Sequence, residues 1–336
     1  MSTSNSLARL NAHPHDADQA FIESTHVYFV RGQPEYWLES DDPVTTLADV
    51  ECGPGEGDVT GPEQFHKISK SVTGVWAEIF KANKFDATKT LDQYFDNWKC
   101  NDKNKYYQLI RYLQLMHKMD DAQIKKEISN MWTENGNCAA GQGTVMHLQF
   151  ELFFNGDECD EAIPEFPQFL KFFKTDYPHF EAYRTEGSIF DRDVWVAGQI
   201  DLVVKDTNSG ELVMIDYKRC KDPLSENSNC WGRYGAAPFS RVPDTPWGHY
   251  AIQQNIYKWI LRKNYGITLS KMFLLQLYGT KEYSLVAMPD LQDEVGEHMA
   301  ALVRHRKEFG NAPVDTRSVG EESPSKKTKL DVSSPR

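Results

Sequence analysis

The clearest patterning of apolar and polar positions lies between residues 182 and 218. Segments 182–190, 195–205 and 211–218 are rich in β-branched and aromatic residues, and each predicts a β-strand. Between the last two, Asp206-Thr-Asn-Ser-Gly210 has the composition of a hairpin turn. Upstream, Ile124, Ile128 and Met131 recur at helical spacing and predict a helix over 121–134. Gly136, Gly141 and Gly143 then predict a break, followed by a second helix carrying Val145, Leu148, Leu152 and Phe153. A third helix is expected over 166–173, ended by Pro178. Downstream, an irregular stretch over 219–246 precedes a helix over 248–264, strands over 271–278 and 282–287, and a closing helix over 291–309. The earlier part of the chain offers a strand signal at 26–31, a Gly/Pro-rich loop at 52–62 and helical patterns at 71–80 and 106–116.

Helices, three strands, a helix and two further strands describe an α/β protein with a mixed central β-sheet flanked by helices. The expected division is an N-terminal helical accessory region at 1–120, a core at 121–312, and a disordered basic tail at 313–336. Hydrophobic residues at 40% and charged residues at 26% suit a soluble globular enzyme. No apolar run approaches the roughly 20 residues that span a bilayer, and the polar start lacks the apolar stretch of a secretory signal. An intracellular protein with no membrane partner is therefore expected. The six cysteines are scattered without a Cys-x-x-Cys pair, which argues against a zinc ribbon or a disulfide framework. A net charge of −12 argues against a protein that coats nucleic acid nonspecifically. It leaves room for an enzyme that spends carboxylates on metal ions and needs only a local basic rim.

The candidate chemistry sits where charge interrupts apolar strands. Asp201 lies in Gly198-Gln-Ile-Asp-Leu-Val-Val204, and Asp216 and Lys218 follow four apolar residues in Leu212-Val-Met-Ile-Asp-Tyr-Lys218. Desolvating an unpaired carboxylate is costly, so two of them beside an ammonium call for compensation such as a divalent cation. Strand alternation puts Asp216 and Lys218 on one face, and the hairpin brings Asp201 beside them. Mg²⁺ or Mn²⁺ on such oxygen ligands suits phosphodiester hydrolysis, with Lys218 orienting the attacking water or offsetting developing charge. The alternative is a surface hairpin with an incidental ion pair. His147 and Glu151 stand four apart on one predicted helix face, where an imidazole ligand would tilt preference towards Mn²⁺. A histidine satisfied by local backbone is the other reading. Gln253 and Tyr257 form a second pair at this spacing, able to reach a phosphate or a base; taken alone, the pair reads rather as a tyrosine at a core edge and a solvated glutamine.

The order His147, Asp201, Asp216-Tyr217-Lys218 and Gln253-x-x-x-Tyr257 resembles the RecB-type branch of the PD-(D/E)XK nuclease superfamily, over about residues 121–290. The segment from Lys70 to Phe80 is similar to the N-terminal part of viral and eukaryotic exonuclease-like members. The resemblance implies a restriction-endonuclease-like core. It also implies that His147, Asp201, Asp216 and the Tyr217 carbonyl bind metal, that Lys218 assists the water, and that Gln253 and Tyr257 hold the substrate strand. Two departures stand out: Ile200 occupies the proline position of the motif, and Asp216 stands where many members carry glutamate. Some members carry an iron–sulfur cluster on cysteines beyond the Gln-x-x-x-Tyr helix. No cysteine follows Cys230, so no such cluster is expected.

Residues 219–246 interleave Lys221, Arg233 and Arg241 with Trp231, Tyr234 and Phe239, a mixture that suits single-stranded nucleic acid, or else covers the sheet. The basic cluster Lys326, Lys327 and Lys329 resembles a nuclear import signal, or is simply a solvated basic run. The combined expectation is a nuclear, metal-dependent exo- or endodeoxyribonuclease of repair, recombination or mobile-element processing. It would act on single-stranded DNA or duplex ends. A non-catalytic nucleic-acid-binding module of the same fold, and an RNA nuclease, are the competing readings.

Overall fold

A computed structural model describes residues 7–22, 27–31, 65–68, 70–81, 85–279 and 281–309. The Gly/Pro-rich loop at 52–62 and the basic tail at 313–336 lie outside the described residues. In chain order, a short helix α1 (Leu7–Leu10) leads to strands β1 (Gln19–Ile22), β2 (Val27–Arg31), β3 (Phe65–Lys67) and β4 (Lys70–Ser71). Helices α2 (Val72–Ile79), α3 (Ala87–Cys100), α4 (Tyr107–Met116) and α5 (Asp121–Asn155) follow. Then come α6 (Phe166–Leu170), β5 (Phe180–Asp191), β6 (Val196–Asp206) and β7 (Leu212–Arg219). The chain closes with α7 (Pro246–Asn264), β8 (Leu269–Leu277), β9 (Ser284–Ala287) and α8 (Gln292–Phe309).

Strands β1, β2 and β3 form a small antiparallel sheet, and the other six form a mixed sheet. In the mixed sheet β6 is the hub. Its whole length pairs antiparallel with β5 along one edge. Along the other edge it pairs antiparallel with β7 at residues 202–205 and parallel with β4 at 196–197. Strand β8 continues the sheet parallel to β7, and β9 ends it antiparallel. Helices pack on both faces. Val72, Val75, Ile79, Ile256 and Ile260, from α2 and α7, share one core with Met214 of β7. Met146, Phe150 and Phe169, from α5 and α6, share the opposite core with Val213, Ile215 and Tyr217. This is the α/β architecture with a mixed central sheet flanked by helices that the residue pattern predicts.

The expected glycine break after residue 134 is absent, because α5 runs unbroken for 35 residues. Asp120 and Gln123 cap its start reciprocally, and Gly156 ends it at φ +76°. Gly136, Gly141 and Gly143 cost the helix about 1 kcal/mol each relative to alanine. That cost is offset at the two ends, each anchored in its own core. Ile124 and Ile128 pack with Leu91, Phe95, Ile110 and Leu113 of α3 and α4, while Met146 and Phe150 pack under the sheet. Packing thus crosses the expected division at residue 120: the start of α5 belongs with the helical region, and residues 70–80 pack into the sheet's core. The helix expected at 166–173 also runs further, as a π-helical turn over Lys171–Asp176.

Candidate active site

The site originates in a fork between two strands. The β6–β7 ladder runs from Lys205↔Leu212 to Leu202↔Ile215 and then stops. One residue further on, Asp201 turns a carboxylate oxygen to the backbone N–H of Tyr217 at 2.7 Å, so a side chain takes the place of the next strand partner. Across the gap between β7 and β4 lies the Tyr257 ring of α7. Any Cβ at Gly198 would come within 2.5 Å of it, so only glycine lets β6 pass there.

On the other edge of β6, Glu186 of β5 lies opposite Asp201, between the pairs Thr185↔Leu202 and Gly187↔Ile200. Glu186 adopts φ +44°, an uncommon conformation for a residue with a Cβ. His147 of α5 completes the group. Its Nδ1 stands 3.3 Å from Glu186 Oε1 and 3.6 Å from Asp201 Oδ1. One ligand atom from each of His147, Glu186 and Asp201 lies within 4.8 Å of the other two, a set able to hold a metal ion. An imidazole with two carboxylates is a borderline-to-hard donor set, able to hold a divalent cation.

Asp216 and Lys218 form the second half. Lys218 Nζ lies 2.6 Å from Asp216 Oδ2 and 3.7 Å from Asp201 Oδ2. It donates to the Tyr217 carbonyl at 2.9 Å and sits 4.9 Å from the Tyr250 ring centre. The alternation expected from the strand holds: Tyr217 packs in the α5 core while Asp216 and Lys218 face the α7 side. Asp216 is only 3% exposed.

Electrostatics reflect this crowding. Burial pushes Asp216 up to about 6, against the pull of Lys218. Burial and the neighbouring Asp201 charge push Glu186 up to about 7. Burial alone would lower His147, but Asp201 and Glu186 outweigh it and raise the imidazole to about 9. For Lys218 too, Asp216 and Asp201 overcome burial, so its ammonium stays charged. Carboxylates that prefer to hold protons, next to an imidazole that does the same, mark a centre short of positive charge. A divalent cation meets that demand, and in this respect the donor set fits one.

Two contributors escaped the sequence reading. Glu186 sits mid-strand between Thr185 and Gly187, without the apolar flanks that drew attention to Asp201 and Asp216. Tyr250 precedes Gln253 by three and Tyr257 by seven residues, so helical spacing alone places it on their face. Of the expected ligands, His147 and Asp201 lie in the metal-sized group, whereas Asp216 is turned to Lys218 and the Tyr217 carbonyl accepts from Lys218. Gln253 Nε2 donates to the Tyr257 hydroxyl at 2.9 Å, and Tyr257 is only 4% exposed. Tyr257 therefore positions Gln253 rather than reaching solvent itself. Glu151 lines the cavity beside His147. Arg233 is exposed and paired with Asp244 at 3.2 Å, and neither it nor Arg241 lines that cavity.

The chain matches no family model and no curated protein. Among solved structures it is similar to one titled "Crystal structure of SSO0001", at 13% identity over 69% of this chain and 90% of that one. The TM-score is 0.26, at which the likeness carries no argument.

Proposed function

We propose that the protein is a metal-dependent nuclease that hydrolyses phosphodiester bonds in DNA, a member of the RecB-type PD-(D/E)XK group. The observation that carries this reading is the fork of β6 and β7, where Asp201, Asp216 and Lys218 converge beside His147 and Glu186. A structural hairpin gains nothing from a carboxylate pair buried at that junction, since desolvation outweighs what one ammonium returns. Mg²⁺ or Mn²⁺ held by His147, Glu186 and Asp201 would supply Lewis-acid polarisation of the scissile phosphate. The chain's own contributions follow from the geometry. Asp216 holds Lys218 charged and fixed, and Tyr250 covers its ammonium. A fixed ammonium stabilises negative charge developing on the phosphoryl oxygens and leaving group without reorganising during the reaction. The uncompensated carboxylates keep a phosphate away until the cation is present.

The test is cleavage of labelled linear, circular, single- and double-stranded DNA by purified protein with Mn²⁺ or Mg²⁺, beside Asp201→Ala. Cleavage that needs the cation, stops in EDTA and is absent from the variant is expected. No cleavage of any substrate, or a variant as active as the wild type, would overturn the assignment.

A further inference from the structure

We infer that the middle of α5 is a hinge on which a separate helical head, formed by α3, α4 and the start of α5, turns as one body toward the metal group. The inference concerns the moving parts of the molecule and stands whether or not the site cleaves DNA.

The head is held together from within. Leu91, Phe95, Ile110, Leu113, Ile124 and Ile128 make its core, and Trp98, Tyr106 and Trp132 pack against it. Trp132 Nε1 donates to the Tyr106 hydroxyl at 2.7 Å. The pairs Lys99–Asp121 and Lys125–Asp92 tie α3 to α5. Among the described residues, the hydrogen bonds, ion pairs and ring contacts made by side chains of residues 85–133 all stay within that range. The same residues contribute nothing to the two cores on the faces of the sheet. What joins the head to the sheet is therefore the chain itself, entering after Lys81 and leaving along α5.

Along α5 that connection is unsupported. Residues 133–142 are exposed one after another, so no face of the helix is packed there. A helix without a packed face serves as a solvent-exposed bridge between separately folded parts. Gly136 and Gly141 fall within this stretch and Gly143 just beyond it, and a Cβ at any of them would meet nothing within 4 Å. Close packing does not require these glycines. What they supply is backbone freedom, and hinges are built from a few positions that absorb the dihedral change.

The bend has a preferred direction. Gly136, Ala140, Gly143 and His147 follow one another at steps of four, three and four residues, and so share one face of α5. Ala140 and Gly143 line the half-open recess that ends at His147, Glu186 and Asp201. Bending toward that face brings the least side-chain bulk together. A bend of about 20° at Gly141 moves Ile124, about 25 Å up the helix, by about 9 Å. The head then leans toward the recess, and straightening carries it away.

Pulsed electron resonance on the full-length protein tests this. Spin labels are attached through an unnatural amino acid at Ala122 in the head and Ala20 in β1, in the wild type and in Gly136→Ala/Gly141→Ala, without metal. Alanine favours the helix and neither glycine lines the recess, so the variant stiffens α5 and leaves the metal group as it is. The wild-type distance distribution should be at least about twice as wide as the variant's and extend to shorter separations. Hydrogen exchange of amides 136–142 should slow by about tenfold or more in the variant, with the head's core amides unchanged. Distributions that coincide, or exchange across 136–142 that does not change, overturn the hinge. A wild type broadened only to longer separations overturns its closing toward the metal group.

Discussion

At the scale of single residues, the site stores proton affinity that a metal ion should displace. Asp216 at about 6, Glu186 at about 7 and His147 at about 9 all stand above the ordinary values for their types. Each favours its protonated form in the folded chain more than in the unfolded one. Each therefore adds stability that is complete below its ordinary value and is lost as pH rises through the folded one. The losses fall in sequence, first for Asp216, then Glu186, then His147, across about pH 4 to 9. In EDTA, the part of the melting temperature that depends on these groups should fall across that window. Excess Mn²⁺ should raise the melting temperature more at about pH 9 than at about pH 6, because the cation there replaces protons already lost. Melting curves with a double variant, Glu186→Gln with His147→Gln, isolate the effect. If the wild type and this variant show the same pH slope in EDTA, the electrostatic account of the site is wrong. Asp201, Asp216 and Lys218 were legible in the sequence because charge inside an apolar strand needs compensation. Glu186 was not, because its neighbours are polar and its role depends on a register with β6 that no local pattern encodes.

At the scale of elements, glycine means opposite things in different places. Gly136 and Gly141 lie on the exposed middle of α5, where an added Cβ meets nothing within 4 Å. Gly198 of β6 lies under the buried Tyr257 ring, and a Cβ added there would also come within 3.1 Å of Val72 Cγ2. Alanine at 136 or 141 should raise stability by about 0.5–1 kcal/mol, the usual helix gain. Alanine at 198 should lower it by about 1–3 kcal/mol, the usual penalty for overpacking. It should also shift Tyr257 and its partner Gln253, so strand binding should weaken too. Urea unfolding of the three variants checks the signs; a neutral Gly198→Ala would contradict the close approach seen at the fork. The sequence pattern mistook the α5 glycines for a break because it weighs a local cost. What keeps the helix whole is tertiary, two cores each holding one end. Strand β4, two residues long, is too short to have any period, yet it pairs on the same edge of β6 as β7, at residues 196–197 beyond the fork. The apolar positions Leu91, Phe95 and Trp98 of helix α3 are spread among charged residues, which weakens their helical signal.

At the scale of the molecule, the site draws on elements far apart in the chain: α5, the β5–β6–β7 strands, and α7 over the lysine. The α/β layering followed from the order of elements, because strands this apolar need helices on both faces. The recess beside the site did not. It forms only when the separate β1–β2–β3 sheet brings Phe21 opposite α5, a juxtaposition without any sequence signature. No helix among the described residues is long and apolar enough to cross a membrane. As proposed above, this assembly is a phosphodiesterase in which metal binding and charge stabilisation are carried by different residues. Single-turnover cleavage of DNA at saturating Mn²⁺, comparing the wild type with Lys218→Ala, tests it most directly. With Mn²⁺ affinity measured in parallel by calorimetry, the account predicts a rate lower by about 10²- to 10³-fold and an ion still bound. Cleavage by Lys218→Ala within a few-fold of the wild type, with its fold and its metal intact, would contradict it.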